Sequence, residues 1–313
     1  MRIFITGATG YVGSVVTEKA IKAGHTVLGL ARSDSSASKL EQIGAKPILG
    51  KLDDLDLLNR TAKEADAVLH LGFVHEFDRP YEELLAIDIA AIEALANGLL
   101  NTNKALIMTS GTGVVEADNG KETFEDSPIA EGIGIRVRAE EAALTFAAQG
   151  VRAMAIRLAP YVYGRGGSYF VPINMQAAAK YGFAPYVGDG LKMTTAADVD
   201  AAADLYLLAM EKGKAGSVFN CSTESDVVLK DLATAIGKAL DVGIRQVTAE
   251  QSNEMCGPFT AHFLQVENRA SNQKAKRELG WQPAPALKLL DDIVNGSYRA
   301  LAGKLKSESA IAR

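Results

Sequence analysis

The sequence holds only two cysteines, Cys221 and Cys256. Two thiols cannot build a disulfide framework, and neither lies in a CxxC or Cys/His spacing that would hold zinc. No metal site is expected, and a reducing, cytoplasmic setting fits best. Long apolar runs are missing too: none reaches the ~18 residues that span a bilayer. A surplus of positive charge is also absent, since 33 Lys and Arg face 38 Asp and Glu for a net charge of −5. That balance argues against nucleic acid or an anionic membrane as a partner. Internal repeats and low-complexity segments are absent. Arg2 already opens a strand after Met1, so no signal peptide is expected. What is left is a soluble globular chain of 313 residues, long enough for a full core without disulfides or metal. A small-molecule substrate is the expected partner, with a homodimer left open.

Short apolar runs alternate with segments of helical period through the first half. Strands are predicted at residues 2–6, 26–31, 47–50, 67–72, 105–109 and 151–158. Helices are predicted at 13–23, 36–43, 55–65, 81–100 and 136–148. Strict alternation implies right-handed βαβ units around a buried parallel sheet. The near-continuous apolarity of 67–71 and 105–108 suits strands covered on both faces. After residue 160 the rhythm loosens. Helices are predicted at 171–182, 198–212, 229–240 and 286–301, with strands at 217–220 and 244–248. The polar tail after Gly303 is expected to fray.

Glycine is abundant, and three glycines define the first motif, Gly7-Ala8-Thr9-Gly10-Tyr11-Val12-Gly13. It leaves the first strand and opens the first helix, the context that a dinucleotide loop requires. Gly7 permits the sharp turn, Gly10 lets a pyrophosphate approach, and Gly13 lets the helix pack on the strand. Thr9, Tyr11 and Val12 complete a helix N-terminus whose free N–H groups suit phosphate oxygens. NAD-type sites carry an acid at the end of the second strand. Here the strand ends in Arg32-Ser33, and Asp34 comes later. Arg32 would stack on adenine and pair with a 2′-phosphate, with Ser33 adding a hydrogen bond. This predicts NADP, with NAD disfavoured. Leu52 and Asp53 should lie near adenine, and Leu71, Gly72 and Phe73 near the pyrophosphate and ribose.

The loop TGATGYVG, the segments HLGF, IMTSGTGVVE, RLAPYVYGRGG, AADVDAAADLYLLAME and VFNCST, and the late ENRASNQKAKRELGWQP occur in one order. In that order they resemble the extended short-chain dehydrogenases/reductases, the NAD-dependent epimerase/dehydratase superfamily. The resemblance covers nearly the whole chain and is nearest the 3β-hydroxysteroid-dehydrogenase-like branch. It implies a doubly wound, seven-stranded parallel Rossmann sheet with a smaller C-terminal substrate lobe. The expected division is a dinucleotide-binding unit at 1–165, rejoined by 191–222. The lobe is then 166–190 with 223–303, and 304–313 is a tail.

The family's active site pairs a Ser or Thr after the fifth strand with a Tyr-x-x-x-Lys on the next helix. There the tyrosine exchanges the proton, while the lysine lowers its pKa and holds the nicotinamide ribose. In this chain the hydroxyl position falls on Gly111, flanked by Ser110 and Thr112. Aligning Glu140 with the family's glutamate puts Gly132 at the tyrosine, Arg136 at the lysine and Asp88 at the family's helical asparagine. No tyrosine is followed by lysine four residues later. Candidate hydroxyl and acid groups are therefore Ser110, Thr112, Tyr161 and His75, with Tyr163 beside them. His70, inside a strand, reads as a buried structural residue. Thr109, Arg136, Pro160 and Val162 are placed with the cofactor. Arg136 and Arg138 can equally pair with Glu140 or Glu141 on the helix surface. Ser271 and Trp281 are expected to anchor the late segment against the sheet. Residues 73–77, 114–118 and 161–170, with Tyr186, Met193, Met255, Phe259 and Phe263, supply apolar lining for a substrate.

These features predict an NADP-dependent oxidoreductase that reduces a carbonyl, or a conjugated C=C or C=N bond, of a small apolar substrate. Its proton donor would be non-standard. Two alternatives stay open: a catalytically silent NADP(H)-binding sensor, and a sugar-nucleotide epimerase or dehydratase with bound NAD.

Overall fold

Alternate residues of the first strand, β1 (Arg2–Thr6), serve two different layers. Ile3 and Ile5 pack on one side, and Phe4 joins a separate cluster on the other. A strand buried on both faces can only be an interior strand. The computed structural model describes residues 1–74, 79–131, 136–167 and 169–311, with side chains as far as Ser309. After β1 come α1 (Tyr11–Lys22), β2 (Thr26–Ala31), α2 (Asp34–Gln42), β3 (Lys46–Leu49), α3 (Leu55–Glu64) and β4 (Ala67–His70). Then follow α4 (Tyr81–Asn97), β5 (Ala105–Gly111), α5 (Val137–Thr145) and β6 (Arg152–Leu158). The second half holds β7 (Tyr161–Tyr163), α6 (Phe170–Tyr181), β8 (Phe183–Val187), β9 (Met193–Asp198), α7 (Val199–Lys212), β10 (Val218–Cys221) and β11 (Glu224–Val228). It ends with α8 (Leu229–Leu240), β12 (Gly243–Val247), α9 (Ala249–Cys256), α10 (Pro258–His262), α11 (Gln273–Leu279), α12 (Leu289–Asn295) and α13 (Arg299–Ile311).

The main sheet has seven strands in the order β10-β6-β5-β4-β1-β2-β3, and every pairing is parallel. Helices cover both faces. Val15 and Val16 of α1 and Leu205 of α7 meet Ile3 and Ile5, whereas Leu58 of α3 and Leu95 of α4 meet Phe4. The parallel sheet expected from the alternation forms, with the seven strands that the family resemblance implied. Chain direction across the sheet reverses beside β1, which neighbours both β2 and β4. Such a reversal leaves a crevice at the carboxyl ends of the strands.

A second apolar cluster gathers Tyr161, Tyr163, Phe170, Met175, Leu232 and Tyr298. Short strands frame it: β11, β9 and β7 form one small sheet, and β12 pairs with β8 in another. β7, β8, β9, β11 and α9 to α11 carried no readable signal in the sequence. They are only 3–8 residues long, and their partners lie far along the chain. The expected terminal helix at 286–301 is in fact two helices. The Asp292 carboxylate accepts from both the Ser297 N–H and the Ser297 hydroxyl, each at 2.7 Å, which ends α12 before Gly296. As far as Ser309, the tail is held rather than frayed. Ala302 and Leu305 are buried in the second cluster, and Ser309 Oγ donates to the Ala179 carbonyl at 3.2 Å.

Trp281 is 1% exposed in the core between the sheet and α7, where its indole N–H donates to the Ala201 carbonyl at 3.0 Å. Ser271 is buried as well, its N–H donating to the Thr123 carbonyl at 2.8 Å. Replacing Trp281 by Phe removes that hydrogen bond and part of the ring. A loss of about 2 kcal/mol in urea unfolding is expected. Circular dichroism should report it, because the chain has no other tryptophan.

Candidate active site

The glycine loop is shaped by contacts that exclude side chains. Gly7 sits at φ +68°, and a Cβ there would lie 2.7 Å from the Gly72 nitrogen. A Cβ on Gly13 would lie 2.1 Å from the Gly7 carbonyl oxygen. The Gly10 N–H closes the turn on that same oxygen at 2.8 Å. Gly10 then caps α1 without any side-chain hydrogen bond, and the first turn holds no acid. The open N–H groups and the positive end of the helix dipole suit the pyrophosphate of a dinucleotide. Thr9, Tyr11 and Val12 stand in this turn, partly exposed. The Tyr11 ring turns away from it. Its hydroxyl donates to the Gly164 carbonyl at 2.7 Å, and a Cβ on Gly167 would meet the ring at 2.3 Å. Only the backbone of Tyr11 is left for a cofactor.

At the far end, Arg32 is exposed and makes no ion pair or hydrogen bond among the described residues. The Ser33 hydroxyl is partly committed: it accepts from the Ser36 N–H at 3.3 Å as the cap of α2. Asp34 forms the first turn of that helix. Leu52 reaches Gly72, where an added Cβ would lie 3.2 Å from Leu52 Cδ2, and Asp53 is exposed.

At the carboxyl ends of β4 and β5 a polar chain runs inward. The Gly72 N–H donates to Thr6 Oγ1 at 3.0 Å, and Thr6 Oγ1 lies 2.8 Å from His70 Nδ1. His70 Nε2 lies 3.0 Å from Asp88 Oδ1. Arg136 Nη1 is 3.8 Å from Asp88 Oδ2, and Nη2 donates to the Thr109 carbonyl at 2.9 Å. The guanidinium stacks on Phe73, 4.3 Å from the ring centroid. Neither arginine pairs with Glu140 or Glu141, because Arg138 reaches Glu82 at 2.8 Å and Glu140 is taken by buried Arg157 at 2.6 Å. Thr109 bridges layers, its Oγ1 lying 2.8 Å from both the His70 carbonyl and the Tyr206 hydroxyl.

The hydroxyl candidates separate clearly. Ser110 is buried at 4% exposure, and its Oγ has no partner among the described residues. Thr112 is committed, donating to Asn268 Oδ1 at 2.8 Å. Tyr161 is wholly buried in the second cluster, beside Cys256 and Asn174 and against Phe170. Burial drives its hydroxyl well above the usual tyrosine range. The Thr112 hydroxyl is thus tied, whereas the Tyr161 hydroxyl, like that of Ser110, is buried without a hydrogen-bond partner among the described residues. The Tyr163 hydroxyl lies 3.0 Å from both a Glu224 carboxylate oxygen and the Leu287 carbonyl, which share its one proton. Val162 is buried in the main core and Pro160 is half-buried. His75, Phe77 and Gly132 lie outside the described residues.

Two residues were missed. Asn220 is in register with Arg157, which is in register with Ser110, so all three share one face of the sheet. Both polar atoms of the Asn220 side chain are buried without partners among the described residues. The Asn220 N–H donates to Glu125 Oε1 at 2.9 Å, and burial pushes the Glu125 carboxyl up. Asn220 stood inside VFNCST, but Glu125 lies in a loop with no periodicity to mark it.

An aromatic group lies beside the loop that leaves β5. A Cβ on Gly113 would lie 3.4 Å from Phe263, whose ring is 5.0 Å from Phe170 and 5.5 Å from Phe259. Tyr169 adds a fourth ring, 5.3 Å from Phe170. Tyr186 lies elsewhere, under Lys230 at 5.0 Å, and Met255 packs with Cys256 and Leu264. Among the described residues no group of acids, histidines and cysteines could hold a metal, and no helix is long and apolar enough to cross a membrane.

Fold and loop together define a doubly wound dinucleotide-binding protein. The chain belongs to the NAD dependent epimerase/dehydratase family, which it matches over residues 3–222. It is an extended short-chain dehydrogenase/reductase, a class of NAD(P)-dependent oxidoreductases, epimerases and dehydratases. An uncharacterized protein of Schizosaccharomyces pombe is 39% identical, over 95% of this chain and 100% of its own length. A 4-hydroxy-2-methyl-3-oxo-4-farnesyl-3,4-dihydroquinoline-1-oxide ketoreductase of Stigmatella aurantiaca is 24% identical, over 90% of this chain and 92% of its own. The solved dTDP-glucose 4,6-dehydratase double mutant of Streptomyces venezuelae, with NAD and DAU bound, shares the fold. Its TM-score is 0.78 at 16% identity, with 100% of both chains covered.

Proposed function

We propose that the chain is an NADP-dependent oxidoreductase that reduces a carbonyl, or a conjugated C=C or C=N bond, of a small apolar substrate. The observation that carries this reading is the aromatic wall of Phe263, Phe259, Phe170 and Tyr169 beside the loop that leaves β5. Such a wall receives an apolar body, whereas a sugar nucleotide asks for basic groups around its phosphates. The ketoreductase relative, with its farnesylated substrate, supports the same reading. Gly7, Gly10 and Gly13 would hold the pyrophosphate, Arg32 the 2′-phosphate, and Arg136 the nicotinamide end. When bound, the nicotinamide supplies hydride to the acceptor carbon.

The chain's own residues then handle the oxygen. As the C–H bond forms, the π pair moves to oxygen, which takes a proton from water. Ser110 donates a hydrogen bond to that oxygen, and the Arg136 charge stabilises the developing anion. No tyrosine among the described residues fills the family's donor position. That absence also favours the second reading, a silent NADP(H)-binding protein.

NADPH consumption with a panel of aldehydes, ketones, enones and imines separates the two. NADPH binding without turnover of any of them would replace the first reading by the second. Tightly copurified NAD would instead point to an epimerase or dehydratase. Ser110→Ala is expected to lower kcat/KM about 100-fold. NADPH affinity should stay within about twofold, since a single neutral hydroxyl touches only the substrate.

A further inference from the structure

We infer that Asp88, and His70 behind it, are positioning residues that aim Arg136 at the nicotinamide end of the dinucleotide. The inference rests on the reading that Arg136 meets the cofactor. An arginine offers five N–H donors. Among the described residues only one of them makes a hydrogen bond, to the Thr109 carbonyl at 2.9 Å. Yet the side chain is only 20% exposed. A mostly buried guanidinium with donors to spare points to a ligand at the carboxyl ends of β4 and β5.

What holds it there is specific. Phe73 fixes the plane of the guanidinium by stacking at 4.3 Å. The Asp88 carboxylate, 2% exposed, stands 3.8 Å from Nη1. Asp88 is itself held by His70, and the proton order can be read from the chain of contacts. The Asp88 carboxylate can only accept, so His70 Nε2–H donates to Oδ1 at 3.0 Å. With the ring proton on Nε2, Nδ1 accepts from the Thr6 hydroxyl at 2.8 Å, while Thr6 Oγ1 in turn accepts the Gly72 N–H at 3.0 Å. One Asp88 oxygen serves the imidazole and the other faces the arginine. Thr6 immediately precedes Gly7, so the chain joins the pyrophosphate loop to the nicotinamide end of the crevice. Asn in place of Asp88 could still accept from His70 but would leave Arg136 without a counter-charge.

The test is a double-mutant cycle on NADPH affinity, read by fluorescence titration, with thermal melts of each apo protein. Asp88→Asn and Arg136→Ala should each raise the NADPH dissociation constant about tenfold. The double variant should be no weaker than Arg136→Ala alone, because Asp88 acts through Arg136. Adenosine 2′,5′-bisphosphate, which lacks the nicotinamide half, should bind all four proteins alike. Losses that multiply, or an equal loss for the bisphosphate, would show a structural role and overturn the inference. Wild-type affinity in Asp88→Asn would overturn it too, while leaving the cofactor reading intact. A wild-type protein that binds neither probe would overturn both. His70→Gln serves as the second variant if Asp88→Asn melts early: it should follow the same pattern of NADPH loss with bisphosphate binding unchanged.

Discussion

Gly13→Ala is expected to abolish useful dinucleotide binding, with at least a 100-fold rise in the NADPH dissociation constant, and to destabilise the fold by about 3 kcal/mol. The added Cβ would lie 2.1 Å from the Gly7 oxygen and 2.8 Å from its carbonyl carbon. Both are backbone atoms of the turn, so neither can swing aside as a side-chain tip would. Relief requires α1 to lift from the β1 turn. The Gly7 oxygen also receives the Gly10 N–H at 2.8 Å, so lifting the helix opens the same turn that presents N–H groups to phosphate. Stability and binding should therefore fall together. Gly303→Ala is the control. It lies in α13 with nothing within 4 Å of the added Cβ, so it should stabilise the protein by about 0.5–1 kcal/mol. Isothermal titration with NADPH and urea unfolding measure both effects. A Gly13→Ala protein that binds NADPH like wild type would refute the assignment of this loop to the pyrophosphate.

Arg32→Ala is expected to weaken NADPH about tenfold or more, and NADH far less. The guanidinium is exposed at the end of β2, so its hold on a 2′-phosphate is screened, and the preference should shrink as salt rises. Asp34 opposes it. Its carboxylate, in the first turn of α2, suits the helix dipole but repels a phosphate nearby. Asp34→Asn should therefore move affinity the other way, towards tighter NADPH. The Ser33 hydroxyl contributes little, because it already caps α2 through the Ser36 N–H. Parallel titrations with the two dinucleotides at low and high salt decide the matter. Equal losses for NADPH and NADH in Arg32→Ala would remove the 2′-phosphate role.

Much of the fold was legible because it is local. A strand buried on both faces writes a continuous apolar run, and a covering helix writes a 3.6-residue period. The glycine loop was legible for the same reason: turn, close approach and packing are all made within residues 7–13. The tail was misread because its polarity hid Leu305, which packs into a cluster with residues of α6, α8 and α12. The catalytic candidates were legible as residue types but not as available groups. Thr112 and Asn268 meet across 156 positions, so no spacing announces that the threonine hydroxyl is occupied.

The sequence by itself determined the parallel sheet and the glycine turn that leads from its first strand into its first helix; the strand order and the crevice where it reverses came from the structure. Tertiary structure alone decided which polar groups are free to act. It placed Tyr161 in the second cluster, tied Thr112 to the late segment, left the Ser110 and Tyr161 hydroxyls buried without partners among the described residues, and stood Arg136 against Asp88 and Phe73. Periodicity fixes which face of an element a residue occupies. Whether its polar atoms are satisfied depends on neighbours brought by other elements, and in a buried crevice that is what sets the chemistry.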